Sequence, residues 1–466
     1  MNEECGVFGV FKADDCMDPA EATYFGLYAL QHRGQESAGI AVTKAGQPIS
    51  HYKNMGLVNE VFRGDLHGLN GADIAIGHVR YSTCGKSSIL NAQPLVIGFR
   101  DGSLALAHNG NLVNAANLRS ELEKDGAIFQ TTMDTEIIAS IIARNSSNGI
   151  INAIEKTMEK IRGSYALVIM TEDKLIGVRD PLGIRPLCLG KMDNSYMIAS
   201  ESCAFDSIDA EFIRDIHPGE MVVIDKTGLH SKMMAARLDS ALCIFEYVYF
   251  ARPDSDIDGI NVYQARENAG ALLAAAYPVE ADVVAGVPDS ATTAALGYAK
   301  QSGIPYKDVF AKNRYVGRTF IQPEQFLRER SVKIKLNVLK KNVRGKRVVL
   351  IDDSIVRGTT SKKIVQMLRL AGAKEVHMRI SSPPIKFPCY FGIDTSYCDQ
   401  LIGAQHDVRE IRKIIGADSL YYLSIEDLLK SVEGSSLNLC VGCFNGNYPI
   451  DVEDCKFRED KFALEK

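Results

Sequence analysis

The chain has 466 residues, which at about 100–200 residues per domain divides into two or three cores. With 46% hydrophobic and 24% charged residues it has an ordinary globular make-up, which excludes a disordered, collagen-like or fibrous protein. Lys and Arg number 53 against 58 Asp and Glu, a formal charge of -5 with no strongly basic block. Non-specific attraction to nucleic acid or an anionic membrane therefore has no electrostatic basis, and small molecules or other protein chains are the expected partners. No run approaches ~18 consecutive apolar residues. The opening Met1, Asn2, Glu3 and Glu4 are acidic where a secretory signal would be basic and then apolar, so the expected location is the cytoplasm. In that compartment the 11 cysteines do not read as a disulfide scaffold, and each is weighed as core filler, nucleophile or metal ligand.

The first element begins almost at once, with Cys5 heading the apolar run Cys5-Gly6-Val7-Phe8-Gly9 as though a strand started there. Because Asn2 is too large for ordinary trimming of Met1, exposing Cys5 as the terminal residue calls for a dedicated cleavage after Glu4. A terminal Cys5 would carry nucleophile and base together, since an α-amine of pKa ~7.7–8.0 can take the thiol proton without any histidine. A buried strand-start cysteine is the structural alternative. Short apolar runs then recur between turn signals at Ile74–Val79, Ser103–Ala107, Tyr165–Met170, Leu175–Val178, Tyr196–Ala199 and Met221–Ile224, which predicts a mostly antiparallel sheet system. Helical periodicity interrupts it at Asp134–Asn145 and Ile150–Arg162, so helices are expected to cover sheets in an α+β layer arrangement.

Three further segments of this half change the weight of Cys5: Gln31-His32-Arg33-Gly34-Gln35, Gly77-His78-Val79-Arg80-Tyr81-Ser82-Thr83 and Ala107-His108-Asn109-Gly110-Asn111. Asn109 and Gly110 can supply a side-chain amide and a backbone N–H to a developing oxyanion. With Cys5 these segments resemble the N-terminal-nucleophile glutamine amidotransferases. The resemblance implies an Ntn-hydrolase four-layer sandwich, an oxyanion hole at Asn109 and Gly110, Arg80 gripping the glutamine carboxylate with its planar fork, and Asp134 binding the α-amino group. His32, His78 and His108 read as packing or supporting groups, and Arg33 reads either way.

After a boundary near Lys232–Ala241 the rhythm lengthens: strand Asp282–Val287, helix Ser290–Gln301, strand Arg347–Ile351, helix Thr359–Ala371, strand Val376–Ile380, which predicts a parallel α/β core. Within it, Val348-Val349-Leu350-Ile351-Asp352-Asp353-Ser354-Ile355-Val356-Arg357-Gly358-Thr359-Thr360-Ser361 sets an apolar strand, two carboxylates, a glycine turn and a helix start in order. Gly358 permits close backbone approach, and Thr359, Thr360 and Ser361 offer hydroxyls and N–H groups at the positive end of a helix, which suits a sugar phosphate. Asp352 and Asp353 would face ribose hydroxyls or Mg²⁺. Neither the P-loop nor the dinucleotide-binding glycine signature occurs. The stretch resembles the phosphoribosylpyrophosphate-binding motif of the type I phosphoribosyltransferases, the alternative being an Asx turn and cap after a core strand. By that resemblance Gly286-Val287-Pro288-Asp289-Ser290 is the pyrophosphate loop, with Ser290 a Mg²⁺ contact, and Lys312–Ile321 is the mobile active-site loop.

Near the end, Cys440-Val441-Gly442-Cys443 is a Cys-x-x-Cys pair, and Cys243 and Cys389 stand alone in the same half. Four thiolates suit zinc or an iron-sulfur cluster, spacing alone does not choose, and Cys398 and Cys455 compete as ligands. Cys16, Cys84, Cys188 and Cys203 read as core or spectator thiols.

Taken in order, the Cys5 half and the Asp352-Asp353 half resemble the amidophosphoribosyltransferase family, in its iron-sulfur branch. The resemblance implies an Ntn glutamine amidotransferase domain at 5–235 after a propeptide at 1–4, a phosphoribosyltransferase domain at 236–449, and a charged tail at 450–466. It also implies glutamine and phosphoribosylpyrophosphate as substrates, Mg²⁺, a [4Fe-4S] cluster on Cys243, Cys389, Cys440 and Cys443, feedback by purine nucleotides and a homotetramer. Two rivals differ in class: a Cys-terminal amidotransferase joined to another synthase, disfavoured by the Asp352–Ser361 stretch, and a non-catalytic iron-sulfur nucleotide sensor, disfavoured because both sites are complete in residue type.

Overall fold

The computed structural model describes residues 5–14, 17–44, 47–81, 87–234, 239–313, 336–395 and 398–452. The segment 1–4, all of the Lys312–Ile321 loop beyond Asn313, the tail from 453, and Cys16, Cys84 and Cys455 lie outside the described residues.

Two antiparallel sheets build the first half. Seven strands run in the order Glu211–Asp215, Cys188–Met192, Ser195–Ala199, Gly6–Phe11, Ile74–Arg80, Ser37–Thr43 and Ser50–Met55. Six run in the order Gly228–Met233, Glu220–Asp225, Leu175–Arg179, Gly163–Met170, Gly102–Leu112 and Leu95–Phe99. The central strands Gly6–Phe11, Ile74–Arg80 and Gly163–Met170 are buried at every residue, because each sheet is covered on both faces. Between the sheets, Val7, Ala41 and Ile76 meet Ala107, Ala166 and Val168. On the outer face of the first sheet, Ala22 and Leu27 of helix Pro19–Ala29 pack with Phe8 and Ile40. Burying a side chain such as Phe8 contributes about 1.5–3 kcal/mol. On the outer face of the second, Leu118, Ile137, Ile141, Ile154 and Met158 from helices Ala115–Lys124, Asp134–Arg144 and Ile150–Lys160 cover Leu104, Leu106 and Leu167. The result is the four-layer helix-sheet-sheet-helix sandwich, with Cys5 at the entry to a central strand.

In the second half Val283–Gly286, Arg347–Asp352, Glu375–Ile380 and Ser419–Tyr422 form a four-stranded, all-parallel sheet in that order. Alternate residues serve opposite faces. Val284, Val349 and Ile351 pack with Leu273 and Tyr298 of helices Val262–Ala276 and Thr292–Ser302. Val283, Val348 and Leu350 pack with Ile364, Leu368 and Ile411 of helices Thr359–Leu370 and Val408–Ile415. The first two helices press backbone to backbone: a Cβ on Gly270 would lie 1.8 Å from the Ala294 carbonyl oxygen, and one on Gly297 2.0 Å from that of Glu267. Val452 is buried in this half's core, so packed chain continues past Pro449 into the first residues of the segment expected as a charged tail.

The halves share a seam. Leu182 and Ile184 join the core of Phe245, Val248 and Phe391. Arg179 donates to both carboxylate oxygens of Asp258 at 3.1 and 2.7 Å. A two-residue parallel ladder pairs Leu242 with Leu439 and Cys243 with Cys440.

Candidate active site

Cys5 is buried, and its Sγ lies 3.4 Å from the Tyr81 carbonyl oxygen, which accepts the thiol proton's hydrogen bond. Arg80, the neighbour of Tyr81, ends strand Ile74–Arg80 with its Nη1 2.7 Å from Glu36 Oε1. Asn109 and Gly110 lie on strand Gly102–Leu112 of the second sheet. The Asn109 Nδ2 is fully buried with no hydrogen-bond partner among the described residues, a donor whose acceptor is missing. Gly110 has φ 147°, and a Cβ there would stand 2.1 Å from the Ser164 carbonyl oxygen, so no larger residue fits between the paired strands.

Asp134 opens helix Asp134–Arg144 from a buried position. Its Oδ2 accepts from the Leu112 N–H at 3.0 Å, and its Oδ1 is 3.4 Å from His108 Nδ1. Burial pushes the Asp134 carboxyl up, yet the neighbouring His108 and the backbone N–H groups outweigh it, so the group stays below the usual carboxylate range and ionised. His78 donates through Nε2 to the His108 carbonyl oxygen at 3.1 Å, which places the N–H on Nε2, and burial drives its pKa down to about 3. It is a neutral packing group, and His108 is a supporting group, as their residue types suggested.

The acid pair ends strand Arg347–Asp352 at the carboxyl edge of the parallel sheet. A cavity of about 370 Å³ opens there, lined by Tyr249, Ser290, the whole run from Asp352 to Ser361, and Asp394. The hydroxyls of Ser290 and Ser354 both donate to Asp353, the second at 2.7 Å, and the Asp353 N–H donates to Asp352 Oδ1 at 3.0 Å. Burial, and then the adjoining Asp353, pushes the Asp352 carboxyl well above the usual range. Gly358, with φ 74°, caps helix Thr359–Leu370, so Thr359, Thr360 and Ser361 form its first turn at the cavity wall. Arg357 reaches Gln400 and Asp289 reaches Lys312.

Tyr81 touches the first centre through its carbonyl and feels charges that line the second. Its phenol pKa is raised by burial, then by Asp394 and Glu36, and is opposed by Arg357, so its ring shares surroundings with residues of both sites. Sequence reasoning assigns Tyr81 no role although it lies within the segment 77–83, and it does not single out Tyr249 or Asp394 at all. Tyr249 sits within an apolar run and Asp394 follows a lone cysteine, and neither position carries a motif.

Cys243 faces Cys440 across the parallel ladder, and Cys443 lies in the helical turn Gly442–Asn445 that follows. The Phe391 N–H donates to Cys389 Sγ at 3.4 Å, while the Lys386 and Phe387 N–H groups donate to the Cys443 carbonyl at 3.0 Å. Burial pushes the Cys440 thiol up to about 11, with Cys389 adding to it. Burial also raises Cys443, followed by Cys389 and Cys440, so three of the four sulfurs feel one another. Among the described residues no group of three or more His, Cys, Asp or Glu side chains is drawn together tightly enough to hold a metal ion. Cys398 is exposed, whereas Cys188 and Cys203 are buried core thiols, both with raised pKa.

Residues 78–207 match the family model of a glutamine amidotransferase domain and residues 261–381 that of a phosphoribosyl transferase domain, so the fold is a glutamine amidotransferase joined to a phosphoribosyltransferase. Among curated proteins the chain is 53% identical to the amidophosphoribosyltransferase of Archaeoglobus fulgidus, covering 97% of this chain and 100% of that relative. It is 51% identical to the Bacillus subtilis enzyme of the same name, covering 97% and 95%. A solved structure of the B. subtilis glutamine phosphoribosylpyrophosphate amidotransferase, complexed with ADP and GMP, superposes with a TM-score of 0.90 at 50% identity, over 96% of this chain and 98% of that one. The chain belongs to the amidophosphoribosyltransferase family. Its reaction converts glutamine, phosphoribosylpyrophosphate and water to 5-phosphoribosylamine, glutamate and pyrophosphate, the first committed step of de novo purine synthesis. No helix among the described residues is long and apolar enough to cross a membrane.

Proposed function

We propose that glutamine is cleaved at Cys5, in a domain spanning 5–235 freed of residues 1–4, and that ammonia passes inside the protein to a sugar held in a domain spanning 236–449. The terminal amine of Cys5 takes the thiol proton, and the sulfur attacks the side-chain amide of glutamine to give a thioester. The unpartnered Asn109 amide and the Gly110 N–H donate to the oxyanion as it forms. Arg80 binds the substrate carboxylate and the ionised Asp134 its ammonium group, each prepared by a protein partner, Glu36 and His108, that it shares with the substrate. Water then releases glutamate.

In the second site Asp352, Asp353, Ser354, Arg357, Gly358, Thr359, Thr360 and Ser361 hold phosphoribosylpyrophosphate, the helix N-terminus facing the 5-phosphate and the carboxylates the ribose hydroxyls. Asp352, Asp353 and the Ser290 hydroxyl form an oxygen-only donor set that fits Mg²⁺, which when bound neutralises charge on the departing pyrophosphate. The observation that carries the reading is Tyr81, whose carbonyl touches the Cys5 thiol while its ring shares the field of Asp394 and Arg357 at the sugar cavity. A short internal route keeps ammonia from protonating in water and losing its nucleophilicity.

Cys243, Cys389, Cys440 and Cys443 fit a [4Fe-4S] cluster by donor type and by the pairing of Cys243 with Cys440, and a cluster there would tie the end of the chain to the second half. The ADP and GMP in the B. subtilis relative support feedback by purine nucleotides. A homotetramer in the cytoplasm completes the reading.

Paired variants test it. Cys5→Ser should abolish glutamine use while synthesis from high ammonia continues. Asp352→Asn with Asp353→Asn should weaken use of the sugar strongly and leave glutamine hydrolysis measurable. Loss of both activities together in either folded variant contradicts two separate sites.

A further inference from the structure

The backbone of Cys5 is held by a buried arginine that is in turn held by a carboxylate from the other half of the molecule. Strand pairing begins only at Gly6, and a residue at a chain terminus frays unless something ties it down. The tie is Arg33, fully buried, whose Nε donates to the Cys5 carbonyl at 3.1 Å. Its Nη1 donates to Glu201 Oε1 at 2.5 Å and to Glu246 Oε2 at 3.1 Å, and its Nη2 donates to Glu246 Oε1 at 2.8 Å. Glu201 also carries His32, at 2.7 Å, together with Arg252 N–H and the Ser255 hydroxyl, so its oxygens are divided among several donors. Glu246 takes the guanidinium with both oxygens, the geometry that fixes the plane of an arginine rather than merely neutralising it.

Glu246 opens the π-helical turn Glu246–Phe250, and such turns cluster at functional sites. Tyr247, Val248 and Phe250 of that turn lie in the core of the second half, and Tyr249 lines the sugar cavity. Behind Glu246, Arg185 comes within 3.6 Å of Oε1 and donates through Nη2 to the Phe391 carbonyl. The carboxylate, carried by the second half, therefore sits between two arginines of the first, Arg33 on one side and Arg185 on the other.

We propose that Glu246 is a positioning residue for the glutamine-cleaving nucleophile, acting through Arg33 on the main chain of Cys5. The inference rests on the reading of Cys5 as the nucleophile. It makes the reactive geometry of the first site a property of the docked pair of halves: without Glu246 the Arg33 plane is held from one side only, and the sulfur loses its fixed line of approach. A displacement of about 1 Å in a reacting group is enough for losses of up to ~10²-fold.

The test compares Glu246→Gln and the charge-conserving Glu246→Asp with wild type, all as intact holoenzyme purified without oxygen. Glutamine hydrolysis and ammonia-dependent synthesis are measured separately. Glu246→Gln is expected to lower kcat for glutamine hydrolysis at least about 10-fold, with KM for glutamine and ammonia-dependent synthesis within about twofold of wild type. Glu246→Asp, which keeps the charge but is a methylene short, is expected to fall between. Glutamine hydrolysis at the wild-type kcat in a folded variant overturns the proposal. So does a rise in KM alone, a parallel loss of both activities, or failure of both variants to fold, since each makes Glu246 a structural residue. If the Cys5→Ser variant still cleaves glutamine, the fault lies instead with the assignment of the nucleophile.

Discussion

Replacing Asn109 with Leu should make the protein slower and more stable at once. Leu nearly matches the shape of Asn, so the packing volume on strand Gly102–Leu112 is conserved. The replaced group is a fully buried amide nitrogen that has no acceptor among the described residues, and an unsatisfied buried donor costs about 1–3 kcal/mol. Removing it returns that cost, and for a domain of this size each kcal/mol moves Tm by roughly 2–4 °C, so thermal unfolding should shift upward by several degrees. In the transition state the same nitrogen gains its acceptor, and loss of one such donor lowers kcat about 10²–10³-fold, or 2.7–4 kcal/mol. The assay is glutamine hydrolysis and differential scanning calorimetry on the same preparation, with ammonia-dependent synthesis as the internal control. A lower Tm, or a kcat within a few-fold of wild type, would refute the reasoning, because either means that the amide is satisfied at rest or idle in the reaction.

The intact mass of protein purified without oxygen should correspond to a chain beginning at Cys5, and a retained Glu4 in active enzyme contradicts the amine as base. Anaerobic analysis should find iron and sulfide, and Cys440→Ser should prevent accumulation of soluble protein; stoichiometric zinc without sulfide sinks the iron-sulfur assignment. Asp215 gives a dependence of stability on pH. Burial, and then the nearby Asp258, raises its carboxyl to about 7 in the folded chain. Between the ordinary carboxylate pKa of about 3.9 and 7 the folded state binds more protons than the unfolded state, so stability falls as pH rises through that window. Asp215→Asn should remove the fall, raising Tm at pH 8 relative to wild type and leaving it little changed at pH 4; an equal effect at both values would show a packing change instead.

The candidate residues of the second centre could be named from the sequence because they are local, Asp352 to Ser361 being one strand-turn-helix, whereas those of the first are scattered from Cys5 to Asp134 and only Asn109 and Gly110 are neighbours. Helix Ile150–Lys160 declared itself because Ala153, Ile154 and Met158 are buried on one side of an otherwise polar segment. Helix Val262–Ala276 did not. Its contact with helix Thr292–Ser302 runs through Gly270 and Gly297, so small residues take the place of an apolar stripe. The edge strands Ser50–Met55 and Glu211–Asp215 are largely exposed and polar, without the alternation that marks a half-buried strand. Arg33 was ambiguous for another reason. Its partners Glu201 and Glu246 stand 168 and 213 residues away, and nothing in the spacing of charges announces a buried pair formed across that distance.

The ladder that sets Cys243 beside Cys440 also orders events in time. Its two short strands are separated by about 200 residues of chain, and a ribosome adding ~5–20 residues per second needs about 10–40 s to supply the second after the first. For that interval the sandwich has its own sheets complete while the seam beneath it is open. Glu246 emerges only a few residues behind Cys243, but the turn that holds it shares its core with Phe444 and Val452, which are translated about 200 residues later. The nascent sandwich is thus left without its finished support until that late segment is made, and a chain released before it would leave a reactive thiol at one end and an unpaired strand at the other.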